Sequence, residues 1–154
     1  MASEIERKFL VRSDAYRAQG TSERYRQGYL RSGGPATVRV RLAGEHGFLT
    51  IKGPTQGFTR SEFEYPIPRA DAEALLDTLC DRPQIEKIRH RVPAGAHTWE
   101  VDEFLGDNAG LVVAEIELGA EDEPFARPEW LGDEVTADPR YRNSALAQRP
   151  YRTW

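Results

Sequence analysis

The chain has 154 residues, enough for one domain with a sizeable core, and is 30% charged with a formal net charge of −4. That balance excludes the global basic field that draws nucleic acid, though not basic residues gathered into one pocket. The single cysteine, Cys80, excludes an intrachain disulfide framework and a thiolate zinc site.

The opening MASEIERKFL has acids where a secretion signal needs a basic stretch and then an apolar run. No apolar run approaches the ~20 residues of a membrane helix. The expectation is a cytoplasmic protein with neither membrane nor nucleic-acid partners. No linker divides the chain, so residues 1–154 read as a single domain.

In chain order, a first strand is expected over Glu4–Val11, where apolar and charged residues alternate in the two-residue rhythm of a pleat. Ser13 or Asp14 then caps a short helix through Gln19. Strands follow over 24–31, 37–42, 47–52 and 59–67, separated by the turn signals SGGPA (32–36), GEHG (44–47) and GPTQG (53–57). A helix is expected over 71–81, with Ala72, Leu75, Leu76 and Leu79 on one face and Asp71 suiting the positive end of the dipole. Strands resume over 85–92, 97–104 and 111–118, punctuated by PAGA (93–96) and GDNAG (106–110). A last helix spans 143–148. Short connections imply antiparallel neighbours. The class is α+β: one large antiparallel sheet or barrel with a few flanking helices.

The charges add a second layer of pattern. Residues two apart in a strand share a face. Glu4, Glu6 and Lys8 therefore oppose Ile5 and Phe9, and Arg39 and Arg41 oppose Val38 and Val40. The same holds for Lys52, for Glu62 and Glu64, for Lys87 and Arg89, for Asp102, and for Glu115 and Glu117. One reading is an ordinary sheet with a solvated face. Against it, the signs are segregated by strand and the pattern recurs on most of the strands. A sheet that long tends to curl or close. Closed with this face inward, it gathers seven acids and six bases in one lumen. Such a lumen is costly unless it is compensated. A polyanion gripped by Arg and Lys, together with a hard divalent cation on the carboxylates, supplies that compensation. These are the ingredients of metal-assisted phosphoryl transfer.

The run Glu4-Ile5-Glu6-Arg7-Lys8 resembles the Glu-x-Glu-x-Lys signature of the CYTH superfamily, the triphosphate tunnel metalloenzymes. Arg39-x-Arg41, Lys52, Glu62-x-Glu64, Lys87-x-Arg89, Asp102 and Glu115-x-Glu117 follow in family order, so the likeness covers nearly the whole chain. The tail, Glu134-Val135-Thr136 and Tyr141-x-Asn143-Ser144-x-Leu146-Ala147, resembles short bacterial members. Many members carry a His shortly before the first Glu, where this chain has Ser3.

The resemblance implies an eight-stranded antiparallel tunnel, Mg²⁺ or Mn²⁺, a small-molecule triphosphate substrate and, as often in the family, a homodimer. It implies metal held by Glu4, Glu6, Glu115 and Glu117, with Glu62, Glu64 and Asp102 in support or holding a second ion. Lys8, Arg39, Arg41, Lys52, Lys87 and Arg89 would bind phosphates, and Glu4, Glu6 and Lys8 would serve catalysis. The reaction it suggests first is hydrolysis of inorganic tripolyphosphate. The alternatives are cyclisation of ATP as in class IV adenylyl cyclases, hydrolysis of an organic triphosphate such as a nucleotide or thiamine triphosphate, and polyphosphate binding without turnover. The short loops leave no evident segment to hold a ring, which favours an inorganic substrate.

Other residues read blandly. His46, His90 and His97 are scattered, and Cys80 reads as packing. Trp99 has the parity opposite to Asp102 and should face outward under a helix, while Trp130 and Trp154 pack the tail. Tyr29 and Arg60 are candidates for ligand contact, and whether Arg24 and Arg26 face the lumen or solvent is open.

Overall fold

Alternation of branched and charged residues gives nine strands in the computed structural model, which describes residues 3–31 and 34–154. Met1, Ala2 and the Ser32–Gly33 part of the expected SGGPA turn lie outside the described residues. The strands are β1 (Ser3–Val11), β2 (Thr21–Arg31), β3 (Thr37–Ala43), β4 (His46–Lys52), β5 (Thr59–Ile67), β6 (Ile85–Ala94), β7 (His97–Phe104), β8 (Val112–Glu117) and β9 (Leu131–Glu134). The helices are α1 (Arg69–Thr78) and α2 (Asn143–Gln148).

Neighbours run β5-β4-β3-β2-β6-β7-β8-β1, and β1 pairs back with β5, so eight antiparallel strands close a barrel. Strand β1 makes the seam. Its residues Glu6–Leu10 pair with β8. Ser3, Glu4 and Ile5 pair with β5, whereas Phe9 and Val11 pair with β9 outside the ring. The eight expected strands all form. β9 was not anticipated, because Leu-Gly-Asp-Glu is too short and too polar to alternate.

Because the inner face is charged, the apolar core sits outside the barrel, between its wall and the segments that cover it. One cluster joins Phe9, Tyr16, Trp99, Trp130 and Leu131, and another joins Tyr29, Ile85, Phe104 and Leu146. The third packs Ala72 and Leu76 of α1 with Val40 and Cys80. Helix α1 seats closely because β4 carries Gly47, where a Cβ would stand 2.8 Å from that of Ala72.

Several local expectations change. The α1 helix begins two residues earlier than expected, after Pro68, whose fixed φ suits a helix entry. It ends at Thr78, where the amides of Leu79 and Cys80 both turn back to the Leu75 carbonyl. Leu79 is thereby 64% exposed instead of sharing the buried face. The Ser13–Gln19 helix shrinks to a 3-10 turn, Ala15–Ala18, where Asp14 makes no side-chain cap and the Ala15 amide donates to Ser13 Oγ at 3.5 Å. Trp99 faces outward as expected, yet it is covered edge-on by Phe9, Phe125 and Trp130 rather than by a helix. No helix among the described residues is long and apolar enough to cross a membrane.

Candidate active site

The barrel encloses a cavity of ≈ 240 Å³ whose lining is largely charged. On the ring of eight strands, β2 and β1 stand four places apart. Beside β2 lie β3 and β6, which bring Arg39, Arg41, Lys87 and Arg89 to the lumen. Beside β1 lie β8 and β5, which bring Glu115, Glu117, Glu62 and Glu64 to join Glu4 and Glu6. A basic arc therefore faces an acidic one across the cavity. Lys8, Lys52 and Arg60 are set among the acids.

Of the thirteen charged residues singled out by parity, twelve line this cavity. Asp102 does not. It has the right face but lies beneath the lining, 1% exposed, accepting from Lys87 Nζ at 2.7 Å and from Arg89 Nε and Nη2 at 2.8 and 2.9 Å. Both oxygens are occupied by bases, so Asp102 anchors the basic wall and is not placed as a metal ligand. Strand parity reports which face a side chain takes, not how deep it stops.

The acidic side is a chain of ion pairs. Glu4 Oε1 accepts from Lys52 Nζ at 2.9 Å and Arg60 Nε at 3.0 Å, and Lys52 reaches Glu62 at 3.3 Å. Lys8 bridges loosely, 3.9 Å from Glu6 and 3.7 Å from Glu115. Arg39 donates to Thr50, which donates to Glu64.

Burial and neighbours divide the carboxylates by charge state. Burial pushes the Glu4 carboxyl up, but Lys52 and Arg60 outweigh it and hold it at about 2. Burial, reinforced by the Glu115 charge, pushes Glu6 up to about 7. Glu117 is raised by burial and by Glu4 and Glu62. Glu115 goes down because Lys8 and Arg89 outweigh its burial. Among the bases, burial and the neighbouring Arg39 and Arg89 lower Arg41 to about 9. Lys87 falls to about 7: burial dominates, and Asp102 opposes it while already serving Arg89.

Two features suit the arcs to their ligands. Arg39 Nε is buried without a hydrogen-bond partner, a donor in want of an anionic oxygen. Among the described residues no three His, Cys, Asp or Glu side chains are already gathered as a ligand set. Even so, burial raises both Glu6 and Glu117, with repulsion from Glu115 and Glu4 adding to the first and from Glu4 and Glu62 to the second. A cation among these carboxylates would relieve that repulsion, and an all-carboxylate donor set fits a hard ion.

The sequence reading missed several lining residues. Tyr25 and Arg91 share the inward phase of their strands, and Glu100 on β7 faces Arg89 at 3.3 Å. Gln27 holds Arg41 through a 2.9 Å bond from Nε. Arg142, Asn143 and Ser144 arrive from the tail, where Asn143 Oδ1 accepts from Lys87 at 2.8 Å and from Gln27 at 3.1 Å. Neutral side chains carry no sign pattern, and no periodicity links the tail to the barrel. Tyr29 and Arg60 do line the cavity. Arg24 and Arg26 face outward to Glu86 and Asp77. His90 and His97 pair with Glu103 and Glu123 away from the lumen.

Comparison with known proteins matches residues 2–151 to the CYTH domain. The chain is 49% identical over 154 residues to an inorganic triphosphatase of Acetivibrio thermocellus, covering 100% of this chain and 99% of that protein. It is 37% identical over 150 residues to an inorganic triphosphatase of Nitrosomonas europaea, covering 94% and 97%. A crystal structure of an inorganic triphosphatase superposes with a TM-score of 0.67 at 35% identity, covering 94% and 97% of the two chains.

Proposed function

Because this chain belongs to the CYTH domain family, we propose that it is a metal-dependent hydrolase that cleaves inorganic tripolyphosphate to pyrophosphate and phosphate. The observation that carries the reading is the pair of opposed charged arcs around a closed lumen. The name borne by its two curated relatives supports the same substrate.

The basic arc binds the phosphate chain. Arg39 and Arg41 offer guanidinium N–H groups to its oxygens, Arg89 adds its charge while its fork stays on Asp102, and Lys52, Lys87 and Lys8 add point charges. Fixed donors lining the lumen stabilise charge developing on the bridging oxygen. Water attacks the terminal phosphorus, the bond from that phosphorus to the bridging oxygen breaks, and pyrophosphate leaves. Glu4 is committed to Lys52 and Arg60, so it braces the wall and is a poor proton acceptor. Glu6, whose nearest base is 3.9 Å away, is free to orient the water. Glu6, Glu115 and Glu117 would hold Mg²⁺ or Mn²⁺, with Glu62 and Glu64 beside them, and the bound ion would neutralise phosphate charge and acidify water.

A lumen of ≈ 240 Å³ falls below the ~300 Å³ at which pockets for drug-sized ligands begin. That favours an inorganic chain over ATP or thiamine triphosphate, whose rings need more room. Arg142 and Asn143, seated on the wall, help set that volume. The test is phosphate release from tripolyphosphate, ATP and thiamine triphosphate with Mn²⁺ or Mg²⁺, with cyclic AMP measured in the ATP arm. Release confined to ATP, or cyclic AMP formation, would replace this reading with its rivals.

Residues 1–154 act as one domain in this proposal, in the cytoplasm. A homodimer belongs to it too. It is supported by the outward cross-strand pair Ile51–Phe63 with Tyr65 beside it, all at least 36% exposed, and sedimentation velocity tests it.

A further inference from the structure

Within the basic arc, one residue touches three guanidinium groups and carries no charge. Tyr25 lies on β2 between β3 and β6, 2% exposed. Its ring centroid is 4.9 Å from Arg41 Cζ and 5.0 Å from Arg89 Cζ, one from each flanking strand, and 5.9 Å from Lys87 Nζ. Its hydroxyl accepts from Arg91 Nη2 at 2.6 Å.

The cations differ in what offsets them. Arg89 has Asp102 and Glu100 within ion-pair distance. Among the described residues no carboxylate stands within that range of Arg41, and its Nε donates to the neutral Gln27 Oε1. Its neighbours Arg39 and Arg89 repel it. A π face is the remaining element that attracts a buried guanidinium without neutralising it. A carboxylate at this place would hold Arg41 more tightly, yet it would compete with phosphate for the same fork and repel the substrate. An aromatic ring does neither, so it can hold the cation splayed and still available.

We propose that Tyr25 is a positioning residue for substrate binding: its ring holds Arg41 against Arg89 as a phosphate clamp, and its hydroxyl, through Arg91, fixes the ring. This rests on the tripolyphosphate reading. The ring carries the effect, and the hydroxyl only trims it.

The experiment compares the unmodified protein with Tyr25→Phe, Tyr25→Leu, Arg41→Gln and the Tyr25→Leu/Arg41→Gln double variant. Tripolyphosphate turnover is measured with Mn²⁺, and tripolyphosphate binding without metal is measured by calorimetry. Thermal melting checks the fold of each. Tyr25→Leu should raise KM and Kd about tenfold, the size of a desolvated cation–π contact, with kcat within about threefold. Tyr25→Phe should recover most of that loss. In the Arg41→Gln background the Tyr25→Leu effect should vanish, whereas a merely structural role would add to it. Unchanged KM in Tyr25→Leu, a Phe variant as weak as the Leu variant, or additivity in the double variant would overturn the proposal. An unmodified protein that neither binds nor cleaves tripolyphosphate would overturn the underlying functional reading with it.

Discussion

Replacing Asp102 with Asn tests whether this carboxylate braces the basic wall or holds metal. In the structure it is buried, with one oxygen on Lys87 and both oxygens on Arg89. Asn keeps the shape but removes the charge. It also turns an amide donor toward at least one of two cations. Breaking a buried ion pair by removing one partner costs about 3–5 kcal/mol, because the stranded charge stays buried. For a domain of this length each kcal/mol moves Tm by about 3 °C, so the metal-free variant should melt roughly 9–15 °C lower.

The acid dependence has a definite sign. Lys87 and Arg89 outweigh burial and hold the Asp102 pKa below its ordinary value of 3.8. Its contribution is therefore complete above the ordinary carboxylate range and is lost as pH falls through the folded value. The gap between the two proteins should be full at neutral pH and narrow only in strong acid. Thermal unfolding followed by circular dichroism, with and without Mn²⁺, reads both effects. Added Mn²⁺ should raise the Tm of both proteins by the same increment. An Asn variant that melts like the unmodified protein without metal, and alone fails to respond to Mn²⁺, would refute the bracing role.

Other outcomes follow from the same geometry. Glu6→Gln and Glu117→Gln should each lower kcat by about 10²–10³ in the phosphate-release assay while leaving the circular dichroism spectrum unchanged, on the scale of losing one preorganised electrostatic contact. Arg41→Ala should raise KM for tripolyphosphate by roughly tenfold or more, and unaltered kinetics would contradict its lumen-facing position. Divalent cation should stabilise the fold by mass action, about 2.7 kcal/mol at 100 times its Kd, and a chelator should abolish both this gain and turnover. Phe9 lies outside the tunnel against Trp99 and Phe125. Phe9→Ala should therefore cost about 3–5 kcal/mol in denaturant unfolding, with kcat per folded molecule retained.

How far the site could be read from sequence depended on the kind of signal. Strand parity found Glu4, Glu6 and Lys8 on one face, and Arg39 with Arg41 on another, because a pleat repeats every two residues. Sign segregation spoke against an ordinary solvated face, and recurrence over so many strands implied closure, since a sheet that long tends to curl. Parity could not report depth, which is why Asp102 was grouped with metal ligands while its oxygens serve Lys87 and Arg89. It could not find Gln27 or Tyr25, whose neutral side chains leave no mark in a charge pattern. Nor could it bring Asn143 to Lys87, since that contact joins residues 56 apart through the docking of the tail. The covering of Trp99 was misread for a related reason: Phe125 lies in a loop without periodicity.

The most direct measurement follows phosphorus NMR of tripolyphosphate incubated with the purified protein and Mn²⁺ in water enriched in oxygen-18. Pyrophosphate and phosphate should appear in equal amounts, with the label in the phosphate, because water attacks the terminal phosphorus. Unchanged tripolyphosphate alongside tight binding would contradict it, as would label found chiefly in pyrophosphate.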